Sequence, residues 1–133
     1  MAAQRTIFLV DDDRDFLELE KRILAGSGCA ITCFSDPRTA LAALAGPGEL
    51  PALLVTDLMM SSLDSGFTLA RALKNDPRLA AIPVIIVSAV SSQKGFDFHP
   101  RTPQELEAMG AVAFFDKPVA PQALLAKVKE LLA

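Results

Sequence analysis

The sequence predicts a doubly wound α/β domain, a five-stranded parallel sheet with five helices packed on its two faces. Three observations carry that expectation. The chain has 133 residues, 51 % of them hydrophobic, enough for one domain with a core that needs no disulfide or metal to hold it. Short, unbroken apolar runs recur along it, the pattern of strands buried on both faces. Between these runs the spacing changes to that of amphipathic helices. Such alternation makes the sheet parallel, because right-handed crossovers place helices on both sides of it.

Ile7, Phe8, Leu9 and Val10 form the first strand, stopped by three aspartates. From Phe16 the apolar residues Leu19 and Ile23, with Leu17 and Leu24 alongside, repeat at helical spacing. Residues 31–34 make a second strand. Asp36 followed by Pro37 starts the next helix, an oxygen that caps it and then a ring whose missing N–H is not needed in the first turn. This helix carries Leu41 and Leu44 and is broken by Gly46, Pro47 and Gly48. Leu53, Leu54 and Val55 are the third strand, ending in Thr56 and Asp57, and Gly66 opens a helix running towards Lys74. Val84, Ile85, Ile86 and Val87 are the most β-branched run in the chain and the clearest central strand, with Ser88 at its carboxyl end. A polar stretch over 91–101, broken at Gly95 and Pro100, precedes Thr102, Pro103, Gln104 and Glu105, the capping box of a short helix. Residues 111–115 are expected as the fifth strand. The last helix, from Pro121, sets Leu124, Leu125, Val128, Leu131 and Leu132 against a polar face of Lys127, Lys129 and Glu130.

Composition excludes several functions. With 13 basic against 16 acidic side chains and a net charge of −3, no basic face is available to grip a phosphate backbone, so direct nucleic-acid binding is not expected. Cys29, Cys33 and the single His99 make neither a disulfide framework nor a zinc ligand set, and both cysteines are expected as buried small apolar side chains. The first apolar run is too short for a signal peptide or a membrane span. A cytoplasmic protein without a membrane partner is the expectation.

In a doubly wound sheet, ligands bind beyond the carboxyl ends of the strands, where the strand order reverses. Those ends carry Asp11, Asp12 and Asp13, then Asp57, then Ser88, then Lys117 followed by Pro118. Carboxylates brought so close resist joint ionisation unless a hard, oxygen-preferring divalent cation neutralises them, which points to Mg²⁺. With a hydroxyl and an ammonium beside it, such a site suits a phosphoryl group, one carboxylate serving as nucleophile. Asp13 has a competing role as the cap of the first helix. Three classes stay open. One is a phosphoacceptor, one a haloacid-dehalogenase-like phosphatase using Asp11 and Asp13 as its Asp-x-Asp pair, and one a non-phosphorylated protein-interaction module of the same fold. The phosphatase leaves Asp57 without a role. A flavin site is disfavoured, because three aspartates occupy the turn where a phosphate requires N–H donors free of competing negative charge.

Over essentially its whole length the sequence resembles the receiver domain of two-component response regulators, a flavodoxin-like fold, in its single-domain, chemotaxis-regulator-like form. The residues that carry the resemblance are the acidic pair Asp11 and Asp12, Asp57 at the end of the third strand, Ser88 followed by Ala89, and Lys117 followed by Pro118. It implies that Asp57 accepts a phosphoryl group from a phosphohistidine on a sensor histidine kinase or histidine phosphotransfer protein. It also implies that Mg²⁺ is held by Asp12, Asp57 and the backbone carbonyl of Met59, with Asp11 acting mainly through water. Lys117 would pair with a phosphoryl oxygen, Ser88 would swing to hydrogen-bond it, and Phe114 would be the aromatic switch that turns inward as Ser88 moves. The Lys117–Pro118 bond looks like the family's cis peptide. The output would be an altered surface bound by a downstream protein, the chain being one receiver domain over 1–133 with no output domain. Two stretches depart from the family's pattern. Residues 59–66 read Met-Met-Ser-Ser-Leu-Asp-Ser-Gly where Met-Pro and then Asp-Gly is usual, and the segment between Ser88 and Lys117 is longer than usual, its excess in 91–101. Met59 and Val90, two residues beyond Asp57 and Ser88, hold the positions that flank the path of the hydrolytic water in the family. Neither side chain can orient water, so slow self-dephosphorylation is expected.

Overall fold

The computed structural model describes residues 5–46, 48, 50–57, 65–88, 102–108, 110–117 and 119–132, with the backbone alone at 65–68 and 88. Its strands are β1 (Thr6–Val10), β2 (Ala30–Phe34), β3 (Leu53–Thr56), β4 (Val84–Ser88) and β5 (Ala113–Asp116). Its helices are α1 (Arg14–Ala25), α2 (Pro37–Ala45), α3 (Ser65–Asn75), α4 (Pro103–Ala108) and α5 (Pro121–Leu132). Every pairing is parallel, in the order β2-β1-β3-β4-β5. The doubly wound architecture expected from the sequence is therefore the one observed, and the strand order reverses between β1 and β3.

Period-two alternation along the strands sorts the core into two layers. Phe8 and Val10 of β1 pack with Leu54, Val84 and Ile86 beneath Ala40 and Leu44 of α2 and Leu69 and Leu73 of α3. Ile7 and Leu9 face the other way, with Leu53, Val55, Ile85 and Val87, beneath Ile23 and Leu24 of α1 and Leu124 and Val128 of α5. Consecutive residues thus serve opposite layers, which is why β3 reads as an unbroken apolar run: Leu53, Leu54 and Val55 are each 0 % exposed. Each such side chain stabilises the fold by roughly 1.5–3 kcal/mol, so the sheet is locked in this register, where a slip by one residue would exchange the two faces.

The helix starts follow the capping residues. Asp13 accepts from the backbone N–H groups of Asp15 and Phe16 and begins α1 two residues before the apolar spacing does, while Asp36 accepts from Arg38 N ahead of Pro37. Thr102 Oγ1 accepts from Glu105 N at 3.1 Å, the expected cap of α4.

Three expectations need correction. Leu19, placed on the apolar face of α1, is 42 % exposed, and the buried positions of that helix are Glu20, Ile23 and Leu24. The fifth strand begins at Ala113 and ends at Asp116, two residues later at its start and one at its end than the apolar run 111–115. Gly110 sits at φ +78°, and the chain joins the ladder only when Val112 N donates to Val84 O at 2.8 Å. Cys29 and Cys33 are free and half-buried, because β2 is an edge strand with solvent beside it.

Candidate functional site

The alternation that sorts the core also places the site. Leu9 and Val55 are register partners facing α1 and α5. Two residues further along, the same face receives Asp11 and Asp57, whose backbone N–H groups still donate across the sheet, to Phe34 O and Val10 O at 3.0 Å each. On β5, Ala113 and Phe115 belong to the same layer, and Lys117 is the next position in that alternation. With β4 between β3 and β5, a long side chain is needed to close the gap, and Lys117 closes it. Its Nζ donates to Asp11 Oδ2 at 2.7 Å and to Asp57 Oδ2 at 3.0 Å. The side chains of Lys117, Asp11 and Asp57 are 5 %, 1 % and 9 % exposed, so this bridge is buried.

Asp12 is exposed at the mouth of the same cluster. One carboxylate oxygen from each of Asp11, Asp12 and Asp57 lies within 4.8 Å of the others. Burial raises the Asp11 pKa against the pull of Lys117, and burial with the neighbouring Asp57 charge raises that of Asp12. For Lys117, burial alone would favour the neutral amine, but the hydrogen bond and charge of Asp11, with Asp57 beside it, hold the ammonium above its usual pKa. One ammonium does not offset three carboxylates. An all-oxygen donor set with excess negative charge, closed at Asp11 and open at Asp12, fits a hard divalent cation such as Mg²⁺.

Asp13 does not join this cluster through its carboxylate. Its Oδ1 caps α1, accepting from Asp15 N at 3.0 Å and Phe16 N at 3.3 Å, while its own N–H donates to Asp11 Oδ1 at 2.9 Å. An Asp11 and Asp13 phosphatase pair would need that carboxylate free. Phe114 is half-buried against the α2 and α3 layer, on the opposite face from the carboxylates. Ser88 ends β4 in register with Asp116, and its side chain, like Met59, Val90, Pro118 and the stretch 91–101 with His99, lies outside the described residues.

Two residues of α1 also reach the site, and periodicity alone did not single them out for function. The Lys117 ammonium sits 4.2 Å from the centroid of the Phe16 ring, an attraction that survives burial. Glu20 is 1 % exposed, and burial, followed by the nearby Asp11, raises its pKa to about 8. The signal for Glu20 was present in the sequence. A carboxylate one turn from Phe16 and one turn from Ile23 and Leu24 interrupts an apolar stripe at its middle.

Fold and site together define a class, an α/β domain whose switch point carries an acidic, cation-fitted pocket with a buried lysine. The family model for the response regulator receiver domain matches residues 7–129. The chain is 34 % identical over 131 residues to the transcriptional regulatory protein GltR of Pseudomonas aeruginosa, covering 96 % of this chain and 49 % of that protein. It is also 34 % identical over 125 residues to the response regulator PleD of Caulobacter vibrioides, covering 94 % of this chain and 25 % of PleD. The chain thus spans half or less of the length of these relatives. Among solved structures, a Chloroflexus aurantiacus protein described as a response regulator superposes with a TM-score of 0.79 at 25 % identity, over 98 % of each chain. The chain belongs to the receiver domain family of two-component response regulators.

Proposed function

We propose that this receiver takes a phosphoryl group onto Asp57 from a phosphohistidine on a sensor histidine kinase or histidine phosphotransfer protein. The observation that carries this reading is the buried bridge of Lys117 Nζ between Asp11 and Asp57, which gathers the ends of three separate strands into one pocket. A carboxylate oxygen of Asp57 attacks phosphorus, the P–N bond breaks with its electron pair passing to the donor imidazole, and an aspartyl phosphate remains. Lys117 already contacts Asp57 Oδ2, so the same ammonium is placed to pair with an oxygen of the incoming group. Asp12, Asp57 and the backbone carbonyl of Met59 are the groups assigned to hold Mg²⁺, with Asp11 acting mainly through water. When bound, the cation supplies positive charge against the phosphoryl oxygens. Ser88, by hydrogen-bonding the phosphoryl group, and Phe114, by turning inward, would carry the change to a surface bound by a downstream protein in the cytoplasm.

Asp57→Asn tests the assignment. In the presence of Mg²⁺ and phosphoramidate, a small P–N donor, the wild-type chain should gain the mass of one phosphoryl group and Asp57→Asn should not. Beryllofluoride added after Mg²⁺ should shift the amide resonances of Asp57, Ser88 and Phe114. A wild-type chain that stays unmodified, or an Asn variant modified as fully as wild type, overturns the reading.

A further inference from the structure

Glu20 places a carboxyl group at the centre of an apolar helix face. It is 1 % exposed, and it lies against Asp11 within hydrogen-bonding reach, with Asp57 and Lys117 the next charges around it. Its Oε1 has no hydrogen-bond partner among the described residues. A buried oxygen left without a donor is costly, which raises the question of what donates to it. Among the described residues Lys117 is the cation whose charge acts on Glu20, but its Nζ already donates to Asp11 and Asp57 and faces the Phe16 ring. Asp11 is engaged at both oxygens, accepting from Asp13 N and from Lys117. Among the described residues, then, no donor is directed at Oε1. Mg²⁺ brings donors with it, because it dehydrates reluctantly and keeps several waters when protein carboxylates bind it.

We propose that Glu20 is a positioning residue of the cation site: it lies against Asp11, accepts a hydrogen bond through Oε1 from the hydration shell of the cation, and so raises the affinity of the Asp11, Asp12 and Asp57 cluster. The inference rests on the cation reading proposed above and adds to it a group from α1 that lies outside the set of strand-end residues. Partners that hold a metal's ligands from behind commonly account for 10–100-fold in metal affinity.

The experiment is a Mg²⁺ titration of the unphosphorylated full chain, followed by amide NMR, for wild type, Glu20→Leu and Glu20→Gln. Leucine suits a buried helix face and removes both oxygens, whereas glutamine keeps the shape and an acceptor oxygen. Glu20→Leu should bind Mg²⁺ about tenfold more weakly or worse, and Glu20→Gln should stay close to wild type. Without cation, Glu20→Leu should melt no lower than wild type, since the orphaned oxygen is gone. A leucine variant that binds Mg²⁺ as wild type does overturns the inference and leaves the cation site standing. A glutamine variant as weak as the leucine variant overturns it too, because rescue by a neutral acceptor has failed. A wild-type chain with no saturable response to Mg²⁺ overturns the cation reading and this inference with it.

Discussion

Lys117→Met asks what the ammonium contributes to the pocket. Lys117 bridges Asp11 and Asp57, whose side chains are 1 % and 9 % exposed, and methionine keeps the apolar stem without the charge. Two buried carboxylates then face each other with no cation, and the folded chain relieves this by protonating one of them. At pH 7, protonating a carboxyl of ordinary pKa costs about 4 kcal/mol, at 1.36 kcal/mol per pH unit, and that sets an upper bound on the loss. Breaking a buried ion pair by removing one partner costs about 3–5 kcal/mol, so a loss of about 3–4 kcal/mol is expected at pH 7 without divalent cation. The bound shrinks by about 1.4 kcal/mol per pH unit, so at pH 5 the variant should lie within about 1.5 kcal/mol of wild type. Urea unfolding at the two pH values reads this directly. With a slope near ~2 kcal/mol/M, the midpoint should fall by about 1.5–2 M at pH 7. Mg²⁺ at a hundred times its Kd should return about 2.7 kcal/mol. A loss at pH 7 below about 1 kcal/mol, the size of an exposed pair, would refute the reasoning, as would a loss that is the same at pH 5.

Other outcomes follow from the same structure. Glu20 carries a pKa raised from 4.5 to about 8, so the folded chain holds a proton that the unfolded chain releases between those values. Its contribution is full below 4.5 and is lost as pH rises through about 8, so metal-free stability should decline over that window, and Glu20→Gln should flatten the decline in thermal melts. Gly110→Ala should destabilise more than Gly28→Ala. Both sit at positive φ, but a Cβ at Gly110 would lie 3.1 Å from Ala70 O, whereas one at Gly28 meets nothing within 4 Å. Gly28→Ala should cost about 1 kcal/mol by chemical unfolding and Gly110→Ala clearly more. The phosphorylated domain should lose its phosphoryl group slowly because Met59 and Val90 cannot orient water, and a half-life of seconds in the purified chain would refute that expectation.

The fold was legible because both faces of the sheet are covered. Runs such as Leu53, Leu54 and Val55 have to be unbroken when consecutive residues serve different layers, and the caps at Asp13, Asp36 and Thr102 mark the helix starts at the level of single residues. The start of β5 was not legible, since Ala111 and Val112 are as apolar as the strand itself and only the left-handed conformation at Gly110 delays pairing. Leu19 misled for a related reason. Helical spacing assigns it to the apolar face, but α1 turns Glu20 inward, beside Asp11, and leaves Leu19 at the surface. The acidic cluster and its lysine were legible as chemistry at strand ends. Their mutual distances were not, because the reach of Lys117 across β4 depends on register.

That register bears on how a signal would leave the site. Asp11, Asp57 and Lys117 continue the odd-numbered rows of β1, β3 and β5 and face α1 and α5, whereas Phe114 lies in the even-numbered row of β5 and packs against the α2 and α3 layer. The two sets share a strand but not a face, so a charge added at Asp57 would act on Phe114 from the opposite side of the sheet. A ligand or modification shifts a two-state surface only by the difference in its interactions with the two states. Lys117 is a group whose interactions such a charge would change. It divides one ammonium between Asp11 and Asp57, and a phosphoryl group on Asp57 would draw it from the first carboxylate towards the new oxygens. Lys117 follows Asp116, the register partner of Ser88, and lies three residues from Phe114, so any such movement acts on the short backbone segment that also carries the aromatic ring. The bridge that stabilises the resting pocket is in this way the contact that phosphorylation would break.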